Sequence, residues 1–370
     1  MTQILLAPDS FKGSITAAAA CDALAAGWRE VAGNARLVAR PMADGGEGTL
    51  DAFAAAVPAA QRMPVVVTGP DGREVDAAWM LLPPTPEAPG GTGVVELAST
   101  SGIELLGRAR LPFDAHTIGF GQAIAAALDR GVSRLALGIG SSASTDGGAG
   151  MLRALGARFD AADGLRSLAS VTTVDVADLR PPPSGGVIVL CDVTNPLLGP
   201  AGAAAVFGPQ KGLSPDEVPG ADAALRHWAD VLATALPAAD PNAVGAGAAG
   251  GTGFALQAWG AHMVSGSAEV AELIGLADAV AAASLIVTGE GSFDAQSAGG
   301  KAPAQVAALA TAAGVPVALV AGRIAPDADL AGFSATVSLS ELAGSAAAAL
   351  ADPARWLRAA GRVLAARNAV

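Results

Sequence analysis

The sequence predicts an α/β protein with two domains, one of them built on a parallel, doubly wound sheet. Residues 4–56 alternate short apolar runs with alanine-rich helical stretches, and the same alternation returns from about residue 283. Between these ends, turn-rich segments interrupt it. The 370 residues are enough for two cores. We therefore expect a parallel domain made of residues 1–64 plus 281–370, with a mixed α/β domain, residues 65–280, inserted into it.

The first strand of the parallel domain is a short apolar run that Pro8 stops. An alanine-rich helix follows, and Ser14 is its predicted N-cap. Further elements are expected as strands near 37–40, 284–287, 315–320 and 336–339, and as helices near 50–56, 302–313 and 353–366. Strands that alternate with helices pair in parallel, because each helix carries the chain back across the sheet.

The inserted domain begins with a strong turn signal, Gly69-Pro-Asp-Gly72, which predicts two antiparallel strands on either side of it. Further along we expect strands near 93–98 and 187–190, and helices near 117–129 and 221–236. The run Gly245-Ala-Gly247-Ala-Ala-Gly250 matches the dinucleotide-binding fingerprint in form, but no predicted strand precedes it. We interpret this match as chance in a chain rich in glycine and alanine.

Composition argues against several functional classes. The net charge of −12 disfavours nucleic acid as a general partner. Cys21 and Cys191 lie far apart and support neither a disulfide framework nor a zinc site. No apolar run of about 20 residues is free of proline and glycine, and the N-terminus shows no signal-peptide pattern, so we expect no membrane association. The cytoplasm is the expected location, and the oligomeric state stays open.

Lysine is rare in this chain. The basic residues number 22, and only Lys12, Lys211 and Lys301 are lysines; the others are arginines. Each lysine is next to a glycine. A compact point charge beside flexible backbone suits the binding of phosphate or carboxylate, so we consider all three as candidate anion-binding residues. The alternative interpretation is that these lysines lie on loops by chance and have no binding role.

The stretch Gly138–Gly150 contains five glycines, follows an apolar run and leads into a helical pattern. A strand, a glycine-rich turn and a helix in this order direct backbone N–H groups toward an anion. The stretch therefore predicts a phosphate-binding loop, and its candidate contacts are Gly140, Ser142, Ser144, Asp146, Gly147 and Gly148. A turn that only bends the chain is the alternative.

Polar side chains follow the strands of the parallel domain. The clusters are Asp9, Ser10 and Lys12; Asp44 and Glu47; Glu290, Ser292 and Asp294; and Arg323. Ligands of open parallel sheets bind at the carboxyl ends of the strands, so these clusters predict a binding site at one sheet edge. For any one cluster, an ordinary turn with a carboxylate at the helix N-cap is the alternative.

These clusters favour phosphoryl transfer. They offer carboxylates for Mg²⁺, hydroxyl groups, isolated cations and glycine backbone, and positioning with charge neutralisation provides most of the catalysis in that reaction. The three histidines are dispersed, and Ala302 follows Gly300-Lys301 where a Walker A motif requires Ser or Thr. A non-catalytic, two-lobed anion-binding protein is the rival from another class.

Several motifs resemble the bacterial type I glycerate kinases, over nearly the whole chain and in the family's order. They are Ala7-Pro-Asp-Ser-Phe-Lys-Gly-Ser14, Pro41-Met-Ala-Asp-Gly-Gly-Glu-Gly-Thr49, Gly138–Gly150, Asp192-Val-Thr-Asn-Pro-Leu-Leu-Gly199, Thr288-Gly-Glu-Gly-Ser-Phe-Asp294 and Gly299-Gly-Lys-Ala-Pro303. The resemblance implies two α/β domains, one flavodoxin-like, and ATP-dependent phosphorylation of D-glycerate. Most of that family acts on the 2-hydroxyl. Ser141, Thr145 and Ile118 depart from the residues common in the family.

With this resemblance, each candidate residue receives a hypothetical role. Asp192 is the predicted general base and Asp44 the second choice. Lys12 with Ser10 is predicted to bind the substrate carboxylate, and Lys211 and Lys301 to neutralise phosphate charge. The remaining substrate-binding candidates are Asp9, Asn195 and Arg323, and the candidate Mg²⁺ ligands are Asp44, Glu290 and Asp294.

The expected site is a cleft between the two domains, with Gly138–Gly150 on one side and the strand-end clusters on the other. ATP and Mg²⁺ are the expected cofactors, and D-glycerate is the expected substrate. Two alternatives remain open if the protein is a kinase: attack by the 3-hydroxyl, and a different small hydroxy acid as substrate.

Overall fold

The computed structural model describes residues 2–11, 13–294 and 302–368. The chain divides into two compact units. The parallel unit comprises Met1–Asp44, Asp51–Pro58 and Ser267–Val370, and the mixed unit comprises Gly45–Leu50 and Ala59–Gly266. The domain limits at 64/65 and 280/281 stay a prediction; the compact units change at 58/59 and 266/267, and residues 45–50 belong to the mixed unit.

The strands are β1 Gln3–Pro8, β2 Arg36–Ala39, β3 Gln61–Thr68, β4 Glu74–Leu82, β5 Thr92–Glu96, β6 Arg134–Gly138, β7 Arg158–Phe159, β8 Val174–Asp175, β9 Val187–Leu190, β10 His262–Val264, β11 Leu285–Phe293, β12 Val317–Ile324 and β13 Ala335–Ser338. The helices are α1 Ala17–Arg29, α2 Thr49–Ala56, α3 Leu97–Ser101, α4 Ile118–Asp129, α5 Ala149–Ala154, α6 Leu165–Leu168, α7 Ala203–Phe207, α8 Val218–Ala235, α9 Ala248–Ala258, α10 Gly266–Leu273, α11 Leu276–Ala281, α12 Ala302–Ala313, α13 Leu339–Ala343, α14 Ala346–Ala351 and α15 Pro353–Asn368.

The parallel unit contains a five-stranded sheet in the order β13-β12-β11-β1-β2, with every pair parallel. Helices α1 and α15 pack closely against each other: a Cβ on Gly27 would lie 1.9 Å from the Arg358 carbonyl oxygen, and one on Gly361 would lie 2.3 Å from that of Leu24. Only glycine permits two helix backbones to approach to that distance. Buried leucines and Trp28 fill the core between this helix pair and the sheet.

The N-cap of α1 differs from the prediction. Thr16 caps the helix, because its hydroxyl accepts a hydrogen bond from the Ala19 N–H at 3.2 Å. Ser14 instead donates its hydroxyl proton to the Phe11 carbonyl oxygen at 2.7 Å. The turn before the helix is therefore two residues longer than the sequence pattern indicated, and Ser14 stabilises that turn rather than the helix.

The mixed unit contains a six-stranded sheet in the order β10-β9-β6-β5-β4-β3. Strand β4 pairs antiparallel with β3 and β5, and the other pairs are parallel. The predicted turn is confirmed: Gly69 N–H donates to the Arg73 carbonyl oxygen at 2.7 Å, and Gly72 has a φ of +85°. The predicted α/β fold class with one parallel and one mixed sheet is thereby confirmed.

Strand β11 is longer than predicted. The sequence indicated a strand that ends at Val287 and a loop from Thr288 to Asp294. In the structure the strand continues to Phe293, which pairs with Ile324 of β12. Glycine here allows β11 and β12 to approach closely, since a Cβ on Gly289 would lie 1.9 Å from the Val320 carbonyl oxygen. Within the described residues, none of the helices combines the length and the hydropathy that a membrane span requires.

Candidate active site

The parallel unit has a cavity of about 470 Å³ at the carboxyl edge of its sheet. Its lining includes seven of the residues that the sequence singled out: Asp9, Ser10, Asp44, Glu290, Ser292, Asp294 and Arg323. These residues come from four separate parts of the chain. The parallel order of the strands brings them together, because the carboxyl ends of β1, β2, β11 and β12 lie at the same edge.

Strand β1 positions the first pair of polar residues. The Asp9 N–H donates to the Gly289 carbonyl oxygen at 2.8 Å, which continues the pairing between β1 and β11 by one residue. The Ser10 N–H donates to the Asp9 carboxylate at 2.6 Å. Asp9 is only 6% exposed and Glu290 only 8%. Two carboxylates are thus held on paired strand backbone with limited access to water.

Arg323 lies beside these carboxylates on β12, where it is in register with Ser292 of β11. Its side chain is exposed, and within residues 2–11, 13–294 and 302–368 its guanidinium forms no ion pair or side-chain hydrogen bond. A guanidinium presents a planar set of donors that matches a carboxylate or a phosphate. Arg323 is therefore a suitable receptor for an anion in this cavity.

The three candidate Mg²⁺ ligands, Asp44, Glu290 and Asp294, all line this cavity. Among the described residues, however, no group of three or more His, Cys, Asp or Glu side chains is close enough to hold a metal ion by itself. Mg²⁺ in phosphoryl-transfer enzymes is usually bound by one or two carboxylates plus substrate phosphates and water. The donor set thus fits a magnesium ion that the nucleotide completes, with oxygen ligands throughout.

The glycine-rich stretch Gly138–Gly150 lies in the mixed unit, and Asp146 organises it. Asp146 is completely buried. One carboxylate oxygen accepts from the Thr117 N–H at 2.8 Å, the Thr117 hydroxyl at 2.7 Å and the Gly150 N–H at 3.2 Å. The other accepts from the Ser144 hydroxyl at 3.0 Å and the Gly148 N–H at 3.2 Å. With five donors, this carboxylate ties the loop to the beginnings of α4 and α5, which favours a structural role over the predicted phosphate contact.

The glycines of this stretch serve close packing. Gly147 has a φ of +61°, and a Cβ there would lie 2.6 Å from the Trp228 ring. Gly148 has a φ of +73° and abuts Ala255 in the same way. Residues 142–150 are all buried, and within the stretch only Ser141 is exposed. The predicted phosphate contacts stay a prediction, but an anion could reach this loop only near Gly140 and Ser141.

Lys211 is buried beneath the loop and stabilises it. Its ammonium group donates to the Ser144 carbonyl oxygen and lies 3.4 Å from the Ser142 hydroxyl oxygen. Burial lowers the pKa of Lys211 to about 7, and the nearby charge of Asp146 partly opposes this shift. At neutral pH this lysine is therefore close to its titration midpoint, and its contacts are with the loop itself.

A second segment supports the loop, and sequence reasoning missed it. Ala249, Gly250 and Gly251 adopt positive φ and form a kink at the start of α9. The Gly250 carbonyl oxygen accepts from the Gly147 N–H at 3.0 Å, and that of Ala249 accepts from the Ser142 hydroxyl at 3.3 Å. Of the three glycines that resemble a dinucleotide fingerprint, Gly250 belongs to this kink. Gly247 precedes α9, and a Cβ there would lie 2.2 Å from the Pro196 carbonyl oxygen, so packing explains both glycines without a cofactor.

Asp192 and Asn195 lie after β9 in the mixed unit and do not line the cavity described above. Asp192 is exposed and accepts from the Gly266 N–H at 3.0 Å. Asn195 donates its side-chain amide to the Ala201 carbonyl oxygen at 2.8 Å. Lys12 and Lys301 lie outside the described residues, so their predicted roles are not addressed by this structure.

The segment Gly45–Leu50 belongs to the mixed unit rather than to the parallel edge where Glu47 was predicted. Buried Glu96 explains this placement, because its carboxylate accepts from the N–H groups of Gly48 at 3.2 Å and Leu50 at 3.1 Å. A Cβ on Gly45 would lie 2.2 Å from the Leu190 carbonyl oxygen. Sequence reasoning missed Glu96, since it lies inside the predicted strand near 93–98 without a glycine or a second polar residue beside it.

Comparison with known proteins now decides the family. The model of the glycerate kinase family matches residues 4–368. The chain belongs to the glycerate kinase family. A glycerate 2-kinase of Escherichia coli is 41% identical over 310 residues, which cover 81% of this chain and 80% of that protein. A glycerate kinase of Bacillus subtilis is 40% identical over 310 residues, with the same two shares of 81% and 80%.

A solved structure agrees with this assignment. The crystal structure of a putative glycerate kinase 2 from Salmonella typhimurium superposes with a TM-score of 0.82 at 37% identity, and covers 99% of this chain and 98% of that one. As a member of the glycerate kinase family, the chain is a kinase. This answers the choice between an enzyme and a non-catalytic anion-binding protein in favour of the enzyme.

Proposed function

We propose that this kinase transfers the terminal phosphate of MgATP to the 2-hydroxyl of D-glycerate and releases ADP and 2-phosphoglycerate. The observation that carries the proposal is the cavity of the parallel unit, where an anion receptor, Arg323, lies beside carboxylates suited to Mg²⁺. Family membership supports the substrate class, and the name of the E. coli relative supports the 2-hydroxyl. The cytoplasm stays the predicted location.

In the proposed reaction the guanidinium of Arg323 pairs with the substrate carboxylate and fixes the three-carbon chain. A cavity carboxylate accepts the proton of the attacking hydroxyl group while the new oxygen–phosphorus bond forms. The bond between the terminal phosphorus and the ADP oxygen breaks, and ADP leaves. Of Asp44, Glu290 and Asp294, the carboxylates that do not act as the base would supply oxygen ligands to Mg²⁺, and the ion would neutralise charge on the phosphates.

Asp44 is the stronger of the two candidates for the base, because it lines the same cavity as Arg323. A base must come within hydrogen-bond distance of the hydroxyl group it deprotonates, and the substrate carboxylate is only one carbon atom away from that hydroxyl group. Replacement Asp44→Asn should lower kcat by about 100-fold or more, whereas Asp192→Asn should lower it less. Asp327→Asn, an exposed carboxylate of the same unit, is the control. The reverse order would return the role to Asp192.

The activity is tested by incubation of the protein with MgATP and D-glycerate and measurement of ADP. Glycerate-dependent release of ADP is expected, and its absence with folded protein would refute the proposal. Phosphorus NMR of the product separates 2-phosphoglycerate from 3-phosphoglycerate and thereby tests the position of attack. A panel of other small hydroxy acids, compared by kcat/KM, tests the identity of the substrate.

A further inference from the structure

The cavity of the parallel unit has a second wall that the proposed phosphoryl transfer does not use. The first wall carries the charged carboxylates and Arg323, whereas the second wall is apolar. This apolar wall consists of Leu339, Ala346, Ala349, Leu350 and Pro353. These residues come from α13, α14 and the start of α15. Leu350 is 63% exposed, which is unusual for a leucine that lines a cavity. An exposed apolar surface beside a polar site is typical of ligand-binding grooves.

Glycerate does not explain this wall. A three-carbon hydroxy acid carries a polar group on every carbon atom, so its recognition requires donors and acceptors rather than aliphatic side chains. The cavity of about 470 Å³ also falls in the range of roughly 300–1,000 Å³ that holds larger organic ligands. A ligand that occupies both walls needs an uncharged, flat part joined to a strongly anionic part.

The nucleotide that donates the phosphate has this composition. Its base is planar and weakly polar on both faces, while its phosphates carry the charge that a carboxylate-bound Mg²⁺ would neutralise. In addition, the sequence suggested the loop Gly138–Gly150 for nucleotide binding, but residues 142–150 of this loop are buried against other parts of the mixed unit. The nucleotide therefore has better support in the parallel unit than in the glycine-rich loop.

We propose that the apolar wall of Leu339, Ala346, Ala349, Leu350 and Pro353 binds the nucleobase of the phosphate donor. The inference rests on the proposed function only for the statement that the donor is a nucleotide. Leu350 covers one face of the base and loses its exposed area to water on binding, which contributes affinity in proportion to the apolar surface removed. The carboxylate wall, which would hold Mg²⁺, then receives the phosphate end.

The test is a pair of substitutions at Leu350, which folding tolerates because the side chain is exposed. Leu350→Ala should weaken the binding of ADP about threefold to tenfold, and Leu350→Asp should weaken it further, since it also places a negative charge beside an anionic ligand. Binding is measured by calorimetry with MgADP and no glycerate, so that no turnover is needed. Val31→Asp is the matched control, because it changes an exposed apolar residue of the same unit that does not line the cavity.

Magnesium pyrophosphate, which lacks a base, serves as the second probe, and Leu350→Ala should leave its affinity unchanged. In steady-state assays the KM for ATP should rise while the KM for glycerate stays constant. Unchanged ADP affinity in both Leu350 variants, an equal loss of pyrophosphate affinity in Leu350→Ala, or no ADP binding by the unmodified protein would each overturn the inference. If ADP binding responds as expected but no glycerate-dependent ADP forms, the nucleobase site stands and the proposed glycerate phosphorylation fails.

Discussion

Replacement of Asp146 by asparagine provides a sharp test of the interpretation that this carboxylate is structural. The side chain is completely buried and accepts five hydrogen bonds, three on one oxygen and two on the other. Asparagine has the same shape but presents an NH₂ group in place of one oxygen. The amide is best oriented with its NH₂ toward the oxygen position that has two donors, because this preserves the three bonds from Thr117 and Gly150.

The cost follows from those two donors. The Ser144 hydroxyl can rotate and accept from the new NH₂, but the Gly148 N–H then faces a second donor and remains without an acceptor. An unsatisfied buried donor costs about 1–3 kcal/mol, and each preserved bond weakens when the charge is removed. The neutral amide is easier to bury, which offsets part of this loss. We expect Asp146→Asn to lower the free energy of unfolding by about 2–4 kcal/mol.

Urea denaturation followed by tryptophan fluorescence measures this change, since Trp228 packs on the same loop. Asp216→Asn, at an exposed carboxylate without a side-chain hydrogen bond in the described residues, should change the free energy of unfolding by less than about 0.5 kcal/mol. A loss below about 1 kcal/mol for Asp146→Asn would refute the structural interpretation and would return Asp146 to the candidate phosphate contacts.

Three further predictions concern stability and reactivity. Because burial lowers the pKa of Lys211 to about 7, its protonation in the folded protein has a free-energy cost that is full below pH 7 and disappears as pH rises toward 10.5. The free energy of unfolding of Lys211→Met, relative to that of the unmodified protein, should therefore rise by roughly 2–5 kcal/mol between pH 10 and pH 6, as measured by urea denaturation at both pH values. Gly147→Ala should lower the free energy of unfolding by about 2–4 kcal/mol, because the cost of positive φ adds to that of a clash with the Trp228 indole ring. Gly199→Ala is the control: its φ is also positive, but a Cβ there would have no atom within 4 Å, so the loss should be only about 1–2 kcal/mol. Equal losses in the two variants would contradict this account. Burial raises the pKa of the Cys21 thiol, so a thiol reagent at pH 8 should modify half-buried Cys191 first, and simultaneous modification of both in the folded protein would be inconsistent with the structure.

The strand-end residues were predictable because a local rule determines where they meet. Asp9, Glu290 and Arg323 are far apart in sequence, but each lies at or near the carboxyl end of a strand in one parallel sheet. Parallel pairing brings such ends to one edge, whichever strands are neighbours. The sequence pattern therefore sufficed to group them, although it did not indicate that β11 continues through Glu290 as a paired strand.

The role of Asp146 was not predictable in the same way, because it depends on contacts that no local pattern encodes. Its donors include Thr117, which precedes a different helix, and the loop is further held by the kink at Ala249–Gly251. A glycine-rich loop that binds phosphate and one that packs against an indole have the same composition. The apolar wall with Leu350 escaped notice for a related reason, since apolar residues beside a ligand resemble core residues in sequence.

The pairing of β1 has a consequence for the order in which the protein forms during synthesis. Strand β1 lies between β2 and β11, and its partner residues in β11 begin at Leu285. Strand β1 can meet β2 early, but it cannot pair with β11 until the chain has been made beyond Leu285. The long continuous segment of the mixed unit, Ala59–Gly266, is complete before that point. We expect the inserted segment to fold first, and the sheet that carries Asp9 and Arg323 to close only late in translation.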